Sequence, residues 1–102
     1  MSMSLEVIGV YKNNKKMSIG THCPVNRIVF NTVESKHLHD MYEKYMLPIE
    51  DKFKKVIIKG YCEGHELFSI NTNMNLFKED PHKTLRNFVR YTEDMSYEYM
   101  NK

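Results

Sequence analysis

The chain has 102 residues, of which 41% are hydrophobic and 27% charged, with seven Tyr, five Phe, four Gly and three Pro. This is the composition of one globular domain and excludes a disordered tail. Fifteen Lys and Arg against thirteen Asp and Glu leave a formal charge of +2, too little to demand a polyanionic partner, and no apolar run approaches the roughly 18 residues of a bilayer span. The opening Met1-Ser2-Met3-Ser4-Leu5 lacks the basic and long apolar regions of a secretory signal. Cys23 and Cys62 are too few for a disulfide scaffold. An intracellular address with both thiols free is therefore expected.

Val7 to Tyr11 is a short apolar run, and Lys12-Asn13-Asn14-Lys15-Lys16 breaks it. Met17 and Ile19 then alternate with Ser18 and Gly20, which predicts a β-hairpin whose turn uses Asn at positive φ. After Pro24, the alternation of Ile28, Phe30 and Thr32 predicts a third strand. Ser35 is placed to cap a helix carrying Leu38, Met41, Tyr42, Tyr45 and Met46 on one face, and Pro48 is expected to end it. This helix shows no apolar surplus beyond that face.

The second half follows the same order. Val56-Ile57-Ile58 is a strand run, Cys62-Glu63-Gly64-His65 a turn, and Leu67 to Ile70 a return strand. Met74, Leu76 and Phe77 suggest another extended piece. Asp80-Pro81 then opens a helix whose main face holds Leu85, Phe88, Val89, Thr92, Ser96 and Tyr99. The fold class expected is α+β, one domain over 1–102, built as a tandem pseudo-repeat of strand-strand-(strand)-helix units, 1–50 and 51–102, sharing one core. Tyr11 falls on Tyr61, Ser18-Ile19 on Ser69-Ile70, and Leu38 on Leu85. The boundary is expected as a linker near Leu47 to Asp51.

The Val56-Ile57-Ile58-Lys59-Gly60-Tyr61 stretch, the Asp80-Pro81-His82-Lys83 helix start and the Tyr- and Met-rich C-terminus carry a resemblance. The chain resembles the small orphan proteins of filamentous viruses, of the lipothrixvirus type, that infect hyperthermophilic archaea. The resemblance implies a viral protein working in the host cytoplasm without an assigned activity, and it transfers no site residue.

Candidate chemistry is sparse. Cys62-x-x-His65 has the spacing of half a zinc site, with His22-Cys23 or His37-x-His39 as possible completions. A second compact pair is missing, so no metal and no cofactor are expected. His39-Asp40 point to different helix faces, Glu50-Asp51 sits in the linker, and Gly9, Gly20, Gly60 and Gly64 form no phosphate loop. No catalytic residue and no enzymatic activity are expected.

Lys12, Lys15 and Lys16 at the first hairpin, with Lys52, Lys54, Lys55 and Lys59, offer phosphate contacts and make nucleic acid the alternative partner. The preferred expectation is a protein or peptide segment held in the seam between the two units, or a second copy of the chain. The last helix has apolar surplus: Tyr91 and Met95 on its flank, Tyr97 nearly opposite its main face, and Met100 at its end. These four are the expected partner-binding residues.

Overall fold

A computed structural model describes residues 2–23, 35–72 and 74–101. The sheet is built from two hairpins. Strand β1 (Met3–Tyr11) turns through Lys12–Lys15 into β2 (Lys16–Cys23). Asn14 takes φ 71°, and the Asn13 side chain accepts a hydrogen bond from the Lys15 amide at 3.0 Å. Strands β3 (Phe53–Cys62) and β4 (His65–Thr72) are joined by Glu63 and Gly64, with φ of 53° and 79°. Two consecutive positive φ values match the twist of the flanking strands, which is why a two-residue connection suffices.

The strand order is β2-β1-β3-β4, antiparallel throughout. Met3, Leu5 and Val7 of β1, Ile19 of β2, and Val56 and Ile58 of β3 face the helices and are buried with them. The strand period puts Ser4, Glu6, Lys55, Ile57, Lys59 and Tyr61 on the opposite face. There the Tyr61 hydroxyl donates to Glu6 at 3.1 Å, and Lys59 pairs with Glu66 at 3.3 Å. Cys23 and Cys62 both lie opposite Met3, on its two sides. Two strand spacings, about 10 Å, separate them, beyond the Cα distance of about 7 Å that a disulfide spans. Cys62 is free and buried.

Helix α1 (Ser35–Met41) runs on through a wide π turn, Tyr42–Met46, and a 3-10 segment, Leu47–Lys52. Leu38, Tyr42 and Met46 are fully buried at i, i+4 and i+8, as the apolar stripe predicts. Tyr45 and Leu47, however, are exposed, so this helix does carry apolar surplus. Pro48 does not end the element. It falls at the start of the tighter 3-10 segment, where a missing amide donor leaves no bond unmade, and the helix changes pitch around it. The expected linker is thus helical. Glu50 belongs to the packing, because the buried Tyr42 hydroxyl donates to it at 2.8 Å.

The extended piece expected at Met74 to Phe77 is also helical, as α2 (Met74–Glu79). Phe77 is buried against the Tyr42 ring, 5.2 Å between centroids, and Lys78 meets Asp51 at 2.8 Å. Both partners lie on the first helical segment. Successive helical residues diverge by only about 100°, so Phe77 and Lys78 can both reach it, whereas in a strand they would point to opposite faces. Asp80 then caps α3 (Pro81–Met100), its carboxylate accepting from the Lys83 amide at 3.0 Å, as predicted. Leu85, Val89, Thr92 and Ser96 form its buried stripe, and the Thr92 hydroxyl donates back to the Phe88 carbonyl at 2.8 Å. The third strand expected at Ile28 to Thr32 and the side chain of Ser35 lie outside the described residues.

Burial first, then the hydrogen bond to Glu50 and that carboxylate's charge, push the Tyr42 hydroxyl well above its usual pKa of 10.0. A raised folded-state pKa means its contribution is complete below the unfolded value and is lost as pH rises past it. Stability by urea denaturation should therefore be insensitive to this group below about pH 10 and decline above it. Tyr42→Phe should lower stability by about 1 kcal/mol at neutral pH and make the alkaline decline shallower. An unchanged alkaline slope would remove Tyr42 as its source.

Candidate functional site

Three surfaces gather side chains with chemical capability. The first begins at Gly60, opposite Phe68 in the β3–β4 ladder. A side-chain carbon at residue 60 would stand 2.3 Å from the Phe68 ring, so only glycine lets that ring lie across the strand. Phe68 stacks on Phe88 with centroids 6.1 Å apart and meets Tyr91 at 4.9 Å. Ile70, two residues on and on the same face of β4, completes with Asn87, Phe88 and Tyr91 a shallow cleft of about 300 Å³. Ile70 is 36% and Tyr91 42% exposed. Among the described residues, no strand pairs with the outer edge of β4.

Of the expected partner-binding residues, Tyr91 lines this cleft. Met95, half-buried, lies one turn further along the same flank. Tyr97 and Met100 are 46% and 48% exposed, but at 100° per residue Tyr97 lies about 120° and Met100 about 180° around α3 from Tyr91. The four residues therefore form no single surface. The Tyr91 flank also lies over β4, the outer strand of its own hairpin, and not over the β1–β3 junction between the halves. Nothing local in the sequence marks Phe68 and Ile70 as site residues. Their alternation was legible; their position on a sheet edge was not.

The second surface is basic. Lys16 and Lys55 both lie opposite Val10, the Lys12 amide donates to the Lys52 carbonyl at 3.2 Å, and the Lys54 ammonium donates to Asn14. Lys12, Lys15, Lys16, Lys52, Lys54 and Lys55, from two separate segments, thus share one corner. Asp51 lies beside it, and Lys78 holds its carboxyl below the usual range by a direct hydrogen bond.

Charge along α3 lies in the same sense as the helix dipole, the order that the dipole disfavours. His82, Lys83, Arg86 and Arg90 occupy its first half, and Glu93, Asp94 and Glu98 its second. Its C-terminal end reaches the β3–β4 turn, where His65 meets the Tyr99 ring at 5.6 Å and Glu63 and Glu66 add negative charge. Its N-terminal end lies toward the lysine corner, α2 being tied to the 3-10 segment by Lys78 and Asp51.

The third surface joins α1 to α3. His39 and His82 approach with ring Nε2 atoms 2.9 Å apart, and Glu43 Oε1 lies 3.1 Å from the first and 3.6 Å from the second. Among the described residues this is the group whose possible ligand atoms converge within 4.8 Å. Cys62 and His65 do not belong to it, and His37 is exposed beside it in sequence without joining. By spacing alone, His39 goes with His37. The spacing His39-x-x-x-Glu43 was the better signal, but only the crossing of the helices brings in His82.

Compared with protein-family models, with curated proteins and with solved structures, the chain has no match. No helix among the described residues is long and apolar enough to cross a membrane.

Gly60→Ala should displace the Phe68 ring and lower stability by about 1–3 kcal/mol, the usual scale of overpacking. Near-ultraviolet circular dichroism should report the loss of the Phe68, Phe88 and Tyr91 packing. A variant with wild-type stability and spectrum would show that the ring does not depend on residue 60.

Proposed function

We propose that this chain is a non-enzymatic interaction module that takes an extended protein or peptide segment along the outer edge of β4. The observation that carries this is an exposed apolar cleft directly beside a sheet edge that no strand among the described residues pairs with. An added strand would pair with β4 and drop alternate side chains toward Ile70, Phe88 and Tyr91. Edge strands that must stay unpaired are usually guarded by Lys or Pro. The sequence of β4, His65-Glu66-Leu67-Phe68-Ser69-Ile70-Asn71-Thr72, contains neither. A second copy of the chain, edge to edge, satisfies the same geometry.

The two-unit construction belongs to this reading. It is supported by the order hairpin then helix occurring twice and by the antiparallel β1–β3 pair at the centre. The helical parts are less alike: seven residues plus irregular turns in the first half, six and twenty in the second. A viral protein acting in the host cytoplasm is the setting implied by the sequence resemblance.

Selection of extended peptides from a random display library tests the main reading. Selected peptides should alternate apolar residues, and Tyr91→Ala should weaken them by about 2 kcal/mol, roughly 30-fold, as loss of an anchoring Tyr does. Tyr97→Ala, on the far side of α3, should bind as wild type. Binders indifferent to Tyr91→Ala would sink the cleft.

A second reading rests on the lysine corner, which the fold assembles from two segments. Weak binding of single-stranded nucleic acid there should fall steeply as salt rises, and replacing Lys15 and Lys54 by Gln should flatten that dependence by about one to two in slope. Fluorescence anisotropy of a labelled oligonucleotide checks this; affinity independent of salt would exclude it.

A further inference from the structure

We infer that His39, Glu43 and His82 form a site for a first-row divalent cation of the zinc type. Two imidazole nitrogens and one carboxylate oxygen are a donor set that suits zinc and its neighbours better than calcium or magnesium, which favour all-oxygen shells. On one tetrahedral zinc, donors about 2.05 Å from the ion stand about 3.3 Å from one another. The three separations, 2.9, 3.1 and 3.6 Å, bracket that value.

The three ligands arise from elements with good reasons to be where they are. His39 and Glu43 are four apart on the first helix, so their side chains share one face. His82 stands in the first turn of α3, fixed by the Asp80 cap. The two histidines are 43 residues apart in sequence and meet only because α1 packs on α3. Asp40 Oδ1 lies 4.0 Å from His39 Nδ1, where a small closure would orient the ring from behind, as partners of metal-bound imidazoles commonly do.

Two features oppose binding. The positive end of α3 disfavours a cation near His82, and the carboxylates of Glu43 and Asp40 offset it. The rings also cross nearly at right angles with centroids 3.4 Å apart, closer than two rings sharing an ion sit. Each must turn outward about its own side-chain torsions. With His39 28% and His82 45% exposed, both have solvent to turn into. Three protein ligands leave a fourth position open to water or to an added group.

Titration of the full chain with zinc chloride, followed by calorimetry, by melting temperature and by cobalt(II) absorption in the visible region, tests the site. One ion should bind per chain, the melting temperature should climb with the logarithm of metal concentration, and cobalt should give the bands of a low-symmetry tetrahedral centre. His39→Ala, His82→Ala and Glu43→Gln should each weaken binding by about tenfold or more, the scale on which even an outer partner acts. His37→Ala and His65→Ala should not. Far-ultraviolet circular dichroism verifies folding of each variant, and the surface position of His82 makes its replacement the decisive one. No binding by the wild-type chain, or unchanged binding in a folded His82→Ala variant, overturns the proposal.

Discussion

At two places in the middle of the sheet a strand gives up its side chain so that an aromatic ring from the neighbouring strand can lie over it. A side-chain carbon at Gly60 would come within 2.3 Å of Phe68, and one at Gly9 within 2.5 Å of Phe53. Glycine weakens a strand by itself, but the ring restores the missing apolar contact and closes the surface above it. The rest of the architecture leans on these pairs. Phe53 over Gly9 reaches Tyr11 at 5.0 Å and seals the end of the core where the 3-10 segment enters β3. Phe68 over Gly60 supplies the floor on which Phe88 and Tyr91 of α3 rest. The cleft beside β4 exists because that floor is aromatic and ends at the sheet edge.

Both hairpins, the Asn14 turn, the Asp80 cap and the buried stripes of α1 and α3 were legible in the sequence, since each depends on residues close together in the chain. Alternation and helical spacing report which side is buried without reference to the rest of the molecule. The failures share a cause. Pro48 reads as a stop, yet the helical path continues past it and brings Glu50, eight residues on, to the Tyr42 hydroxyl. Met74 to Phe77 reads as extended, yet Phe77 is drawn into a helix by the ring of Tyr42. In both cases a distant partner overrides local preference. The candidate site follows the same division. Tyr91 was legible as surplus, but Phe68 and Ile70 became part of its surface only through the strand order, and His82 joined His39 only through helix crossing.

The histidine cluster and the cleft lie on different sides of the helical layer, and neither uses the buried stripe of α3. The long helix thus has three separate duties around its circumference: Leu85, Val89, Thr92 and Ser96 inward, Phe88 and Tyr91 toward β4, His82 toward α1. Changes on one flank leave the other two contacts in place.

The charge order along α3 separates positive from negative charge along that helix, although the net charge of the chain is only +2. The helix dipole and the lysine corner add to it rather than cancel it. In the field of a polyanion the chain turns before it touches, leading with the lysine end and trailing Glu63, Glu66 and Glu98. The torque is strongest at low ionic strength and fades once the Debye length falls below the size of the protein. Strand β4 runs between those two ends, so its outer edge, which no strand among the described residues pairs with, then points sideways to whatever lies alongside.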